Sequence, residues 1–356
     1  MLKYFIIYQE FTNLKTRLKD VASASGVSLT TASLVLADKG RISEDIREKV
    51  KKTAHRLGYF KKEKRERRSK DGSRNLGILI NIDYEWAFIW SFIRPIIDEI
   101  ESTMKPLGLN TVLIPIKRSF PAKEIQRKIA EARVQAVIAL HYGTEELVES
   151  LEKSGIPVII VMNNNFQDKF YSVCVDDYQG AYEGTAYLIK LGHTHIAYVE
   201  AERPDLPMLL NDRFIGFRKA MEENRLKLSQ DSIIRFDMQN MAELKKKLSL
   251  LFGSRDRPSA VFCLDDEIAY RVIVFLRELG MSVPEDVSII APGDVLDYDQ
   301  HYYPQITTMR INTTYMGSIV CQMLMNRITH KPEDIHVLKV KQQLVKRSTC
   351  REISRT

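Results

Sequence analysis

The chain has 356 residues, 44% hydrophobic and 28% charged, with a formal net charge of +7. Such a length implies two or three parts rather than one small domain, and the composition is that of a globular protein. The longest apolar runs, such as 158–162, fall far short of the roughly 20 residues that cross a bilayer. The opening MLKYFIIYQEF has too short an apolar core for a secretory signal, so a cytoplasmic location and no membrane partner are expected. Cys174, Cys263, Cys321 and Cys350 lie far apart and mostly in apolar segments, the pattern of reduced buried thiols rather than of a disulfide frame or zinc site. Charge is uneven. Residues 1–75 hold 19 Lys+Arg against 9 Asp+Glu, so the head carries the whole basic excess and the remainder is slightly acidic. That asymmetry implies a polyanion partner for the head alone.

Residues 1–15 carry aromatic and β-branched side chains but no motif and form an N-terminal extension. The stretch 16–60 predicts three short helices. Leu18, Val21 and Ala22 share one face of the first, Thr16 stands before it as a candidate cap, and Gly26 ends it. Ser28 caps a second helix, Leu29 to Leu36, with Ala32, Val35 and Leu36 inward. Two helices joined by about four residues around a glycine are a helix-turn-helix, which lays its second helix in a DNA major groove. A third helix begins at Ser43, with Ile46, Val50, Ala54 and Leu57 as its apolar stripe and Gly58 as its stop. A three-helix bundle without a DNA role is the alternative, and the charge asymmetry disfavours it. Residues 61–75 are a basic linker.

From Leu76 strand-length apolar runs alternate with amphipathic helices in two successive series, the signature of parallel sheets covered on both faces. The first series has strands LGILINI, TVLIPI, AVIAL and VIIVM; the second has HIAYVEA, SIIRF, AVFCL and DVSIIA. QITTMRI, a helix over 315–328 and VLKVKQQLV follow. The reading is an all-α helix-turn-helix head plus an α/β body of two doubly wound lobes spanning 76–350.

LKDVASASGVSLTTASLVL followed by GRISEDIREKVKKTAHRLGY resembles the DNA-binding head of the lactose/galactose repressor family. The body resembles it too, in DRFIGFRKAM, in AVFCLDDEIAY with LGMSVPEDVSII, and in PQITTM. The resemblance covers about residues 16–345. It implies a periplasmic-binding-protein-type body whose chain crosses back between lobes late, with lobe 1 near 76–170 and 305–327 and lobe 2 near 171–304 and 328–350. It also implies a homodimer on operator DNA and a small-molecule effector, sugar-like, between the lobes. In the family the linker folds on DNA with an early Pro-Asn and a Leu wedge. Here Lys61-Lys62 and Arg68 stand in those places, so a phosphate-contacting tether is expected in preference to a wedge that unstacks bases.

For DNA contact the candidates are Ser28, Leu29, Thr30, Thr31, Ser33 and Leu34, with Lys39, Arg41, Lys61, Lys62 and Arg68 on phosphates. Short hydroxyls reach bases or phosphates, whereas Leu34, where the family has polar residues, packs inward or touches a methyl group. For Lys39 and Arg41 ordinary solvated charge is the less favoured alternative. For the effector the candidates are Trp86, Phe88, Asn163, Arg213, Asp265 and Asp294. Arg213 matches the family's effector arginine, or else pairs with Asp212 or Glu222. Asp265 stands where the family has Asn, and Asp266 could bind or cap a helix. The first Asp of the family's G-[FY]-D-[DN] is Gly293 here, leaving Asp294 as a substitute. No phosphate-cradling glycine loop is present. His193 and His195, at i and i+2 before a strand, are expected to point to opposite sides, and Asp176-Asp177 sits where a helix cap is needed. Neither an enzyme nor a metal or cofactor site is indicated. A solute-sensing module with weak or non-specific DNA binding is the second reading.

Overall fold

The computed structural model describes residues 18–36, 40, 42–56, 74–82, 87–117, 119–141, 143–167, 169–202, 208, 211–300, 303–330 and 334–353. The chain divides into two compact units, a head up to Gly72 and a body from Ser73. The N-terminal extension and the basic linker lie outside the described residues.

In the head, α1 spans Leu18–Ser25, α2 Leu29–Val35 and α3 Glu44–Arg56. Val21, Ala22, Ala32, Val35, Val50 and Ala54 form its core, as the periodicity predicts. The joint after α1 closes with Gly26 at φ 67°, a conformation that costs glycine no Cβ clash, and Val27 N–H bonds back to Ala22 O at 3.0 Å. One expected core residue is misplaced. Ile46 is exposed, because it sits in the first turn of α3, and the half-buried Arg47 there donates to Gly40 O.

The body is two six-stranded sheets. The first contains β1 Asn75–Asn81, β2 Asn110–Ile116, β3 Val134–Leu140, β4 Val158–Val161, β5 Ser172–Val175 and β11 Val337–Val340. All of its paired neighbours run parallel. The helices α4 Ala87–Met104, α5 Ala122–Glu131, α6 Glu145–Lys153 and α11 Thr313–His330 cover it. Alternate strand residues go to opposite faces. Ile78, Ile138 and Ile159 meet α4 and α11 through Ile96 and Val320. Leu79, Val137 and Ile160 meet α5 and α6 through Ile125 and Leu147.

The second sheet contains β6 Ile196–Ala201, β7 Ile233–Phe236, β8 Ala260–Phe262, β9 Ser288–Gly293, β10 Thr307–Arg310 and β12 Gln343–Val345. Its helices are α7 Asp177–Lys190, α8 Asp212–Glu223, α9 Met241–Phe252 and α10 Asp266–Glu278. Val199, Val261 and Ile289 pack on α9 and α10, while Tyr198, Phe262 and Ile290 pack on α7 and α8.

The sheets correct the expected lobe boundaries in three places. Residues 172–175 pair with β4 and so belong to the first lobe, not the second. Thr307–Arg310 pair with Ile290–Gly293, which puts them in the second lobe; the chain crosses back only after Arg310. VLKVKQQLV is not one strand. Val337–Val340 lie parallel to β5, and Gln343–Val345 lie antiparallel to β10, so the run crosses between lobes at Lys341-Gln342.

Candidate functional site

The head's reading helix is built from its cap outward. Ser28 is extended at φ −66°, ψ 156° and its side chain accepts the Thr31 N–H at 3.0 Å. This satisfies one of the donors a helix start leaves unpaired. The Thr31 hydroxyl lies 2.8 Å from Ser28 Oγ. With Ala32 and Val35 turned into the core, Leu29, Thr30 and Leu34 are exposed and Thr31 and Ser33 half-buried. Leu34 therefore does not pack inward. The outward face of α2 is short, neutral and partly aliphatic. Lys39, Arg41, Lys61, Lys62 and Arg68 lie outside the described residues.

In the body, ligand chemistry in parallel α/β sheets gathers beyond the carboxyl ends of the strands, and there the second lobe concentrates its charge. Arg213, the second residue of α8, donates from Nη1 to Leu264 O at 2.6 Å and from Nη2 to Asp177 Oδ1 at 2.9 Å. Its ion-pair partner is thus Asp177, neither Asp212 nor Glu222. Burial works against its charge, but the carboxylates of Asp177 and Glu200 outweigh burial and hold the guanidinium protonated. Its Nε is buried without a hydrogen-bond partner.

Glu200, near the end of β6, escaped the sequence reading. It is 3% exposed and accepts from Tyr198 Oη at 2.6 Å and Ala201 N at 3.2 Å. Burial raises its pKa, against the pull of Arg213. The available signal was a lone carboxylate inside the wholly buried strand IAYVEA.

Asp265 caps α10, its Oδ1 accepting the Ile268 N–H at 2.8 Å. Burial pushes its carboxyl up to about 7, with the neighbouring Asp266 adding to the rise. The capping role considered for Asp266 therefore falls to Asp265. Asp266 is fully buried and fastens the loop after β9, accepting from Val295 N at 2.8 Å, Leu296 N at 3.2 Å and Tyr298 Oη at 3.0 Å.

This explains Gly293. At φ 130° it lies against Asp266, and a Cβ there would meet Asp266 Oδ1 at 2.6 Å. An aspartate at 293 would collide with the buried carboxylate. Asp294 does not replace it as a free carboxylate. It pairs with Arg310, with Arg347 at 2.6 Å, and accepts from Thr308 Oγ1 at 2.9 Å. These contacts outweigh burial and hold its pKa low.

Asn163, just past β4, caps a short turn over Asn164–Phe166, accepting from Asn165 N at 3.0 Å. Asp212 at the start of α8 ties the lobes together, bonded to Lys339 Nζ of β11 at 3.0 Å and Asn164 Nδ2 at 3.4 Å. Trp86 and the Phe88 side chain lie outside the described residues. Asp176 caps α7 by accepting from Gln179 N at 3.2 Å. His193 contacts Ser259 and His195 contacts Ser232, so the two rings serve different neighbours. All four cysteines are free, and Cys350 alone is not fully buried. Among the described residues no helix is long and apolar enough to cross a membrane.

Residues 17–61 match the family described as bacterial regulatory proteins, lacI family, and residues 185–350 match the periplasmic binding protein-like domain. The chain belongs to the lacI family of bacterial regulatory proteins. This lacI-family chain is 28% identical over 342 residues to the HTH-type transcriptional repressor PurR of Vibrio vulnificus strain CMCP6, covering 95% of this chain and 99% of the relative. It is 27% identical over 341 residues to the HTH-type transcriptional regulator RegA of Clostridium saccharobutylicum, covering 94% and 99%. Its fold matches the lac repressor dimer bound to operator and the anti-inducer ONPF, with a TM-score of 0.64 at 21% identity over 94% of this chain and 99% of that one. Membership makes the chain a DNA-binding transcriptional regulator rather than an enzyme.

Proposed function

We propose that this chain is a cytoplasmic repressor. Two copies place their α2 helices in successive major grooves of a near-palindromic operator, and a small polar molecule between the lobes alters operator affinity. The observation that carries this reading is the capped α2, whose core face is Ala32 and Val35 and whose outer face presents Leu29, Thr30 and Leu34. Thr30, Thr31 and Ser33 supply hydroxyls for base edges or phosphates, Ser28 orients the helix start, and Leu29 and Leu34 suit thymine methyl groups. Lys39, Arg41, Lys61, Lys62 and Arg68 add phosphate contacts that carry affinity but no sequence code. Arg213, Asp265 and Asn163, with Trp86 and Phe88, form the effector set; Asp294, already held by two arginines, orients its loop instead.

Selection of bound duplexes from genomic fragments with the full chain tests this. A recurrent two-fold motif is expected; retention of all fragments alike would sink the reading. Replacing Lys61, Lys62, Lys64 and Arg65 with Gln is expected to weaken every duplex similarly. It also lowers the slope of log affinity against log salt by roughly 0.9 for each phosphate that is no longer neutralised.

A further inference from the structure

The charge arrangement in the second lobe narrows the ligand class. The inference rests on the reading of the cleft as an effector site. We propose that the cleft selects a ligand that brings hydrogen-bond donors and no negative charge, with Asp265 as its acceptor. For one sugar skeleton the amine form binds best, the neutral parent next and the acid form worst.

Three observations support this. First, the cation a carboxylate or phosphate would need is already engaged. A guanidinium binds an anion strongly through a two-pronged fork, and here Nη2 holds Asp177 while Nη1 holds Leu264 O. Nε is buried without a partner and suits a single hydroxyl oxygen, whereas a fork to an added anion would compete with Asp177 and Leu264 O for the terminal nitrogens. Second, carboxylates outnumber the guanidinium. Asp177 already neutralises the guanidinium at 2.9 Å, and Glu200 and Asp265 also lie within its electrostatic reach, so an added anion finds no free positive charge there. Arg213 also anchors the carbonyl of the residue directly before Asp265, which fixes acceptor and guanidinium as neighbours. Third, an acceptor is left over. Asp265 uses Oδ1 on the Ile268 N–H, and its other oxygen is the acceptor assigned to the ligand.

The test is calorimetric titration of the full chain at pH 7, where the amino sugars are mainly protonated and Asp265, raised to about 7, is partly ionised. The probes are matched sets: glucosamine, glucose and glucuronate, then galactosamine, galactose and galacturonate. The expected order is amine, neutral, acid, with the amine at least about tenfold tighter than the acid in the set that binds. Asp265→Asn keeps the helix cap, because Asn caps as well as Asp. It is therefore expected to stay folded at the titration pH while the amine-to-acid ratio shrinks to below about threefold. An acid probe binding as tightly as its neutral parent overturns the proposal, as does an unchanged ratio in Asp265→Asn. If no probe of either set binds, the sugar-type effector reading itself fails and this proposal falls with it; an inverted order among binding probes overturns the charge rule alone.

Discussion

The two lobes share a frame and differ in what they bury. Their strand orders correspond, β11-β5-β4-β3-β1-β2 in the first and β12-β10-β9-β8-β6-β7 in the second. Each sheet has its period-2 faces covered by helices. The first lobe's strands are almost wholly apolar, with Asn81 and Ser172 as their buried polar residues. The second buries Glu200, Asp266 and His193; half-buried ion pairs occur in both lobes, Arg327–Glu152 in the first and Arg213–Asp177 in the second. The lesson is that topology places a cleft but not its chemistry. One sheet serves as a wall, and the other buries ionisable groups that apolar packing could have replaced at lower cost to stability. Such groups are where ligand specificity is expected to reside.

The largest expected effect tests that contrast. Asp266→Ala removes the carboxylate that holds Val295 N, Leu296 N and Tyr298 Oη. Three donors lose their acceptor at a buried site, so a loss of about 3–5 kcal/mol is expected. The matched change in the first lobe, Ile138→Val at a fully buried strand position, costs about 1 kcal/mol. Urea unfolding of both variants measures the difference. Equal losses would mean that the second lobe's buried charge is incidental to its structure.

That contrast also explains how much could be read from the sequence. The head was legible because its signals are local: a Ser cap, a Gly stop and an i, i+3, i+4 stripe, with Ile46 alone misplaced among the described residues. The long strands were legible as apolar runs. β5 was missed because Ser172–Val175 is four residues with Ser and Cys among them, too short to show a period. The division of VLKVKQQLV between two sheets lies in three dimensions and leaves no local mark. Gln342 is buried between the two segments, its Nε2 directed at Asp176 O and Asp177 Oδ1. Arg213 and Asp265 were found through the resemblance, but Arg213's partners were not, since Asp177 and Leu264 are distant in sequence. Glu200 was overlooked because nothing local separates a buried carboxylate at a strand end from a solvated one.

A smaller effect distinguishes the second lobe by pH. Asp265 is raised to about 7 by burial and by Asp266, above its unfolded value near 4. A raised carboxyl favours the folded state while protonated. Its contribution is complete below pH about 4 and is lost as pH rises through about 7. Between pH 5 and pH 8 the parent is therefore expected to lose stability relative to Asp265→Asn. The full shift corresponds to at most ~4 kcal/mol, and the side chain's residual water contact reduces this to ~1–2 kcal/mol. Asp294 works in the opposite direction: its two arginines hold its pKa low, so its contribution is present above the usual carboxylate range and lost as pH falls. Parallel melting curves of parent and Asp265→Asn at pH 5 and pH 8 isolate the Asp265 component. Curves that keep a constant separation would remove Asp265 from the pH response.

The smallest expected effect concerns the tie between the lobes. Asp212 reaches from α8 to Lys339 of β11 and to Asn164, so one carboxylate of the charged lobe grips two polar groups of the apolar one. The ion pair is about one-third exposed on each side, at 36% for Lys339 and 30% for Asp212. Water and salt screen it, and its coupling energy is expected at ~0.5–1 kcal/mol. A double-mutant cycle of Asp212→Asn and Lys339→Met, read by urea unfolding at low and high salt, gives that coupling without the side effects of either change. Because the pair spans the lobes, its removal shifts their opening equilibrium more than it shifts unfolding. Small-angle scattering of Asp212→Asn is expected to show a larger radius of gyration than the parent, with a nearly unchanged urea midpoint. A coupling above ~2 kcal/mol that salt does not weaken would mean that the lobes share a buried electrostatic interface, and the division into an apolar wall and a charged partner would no longer hold.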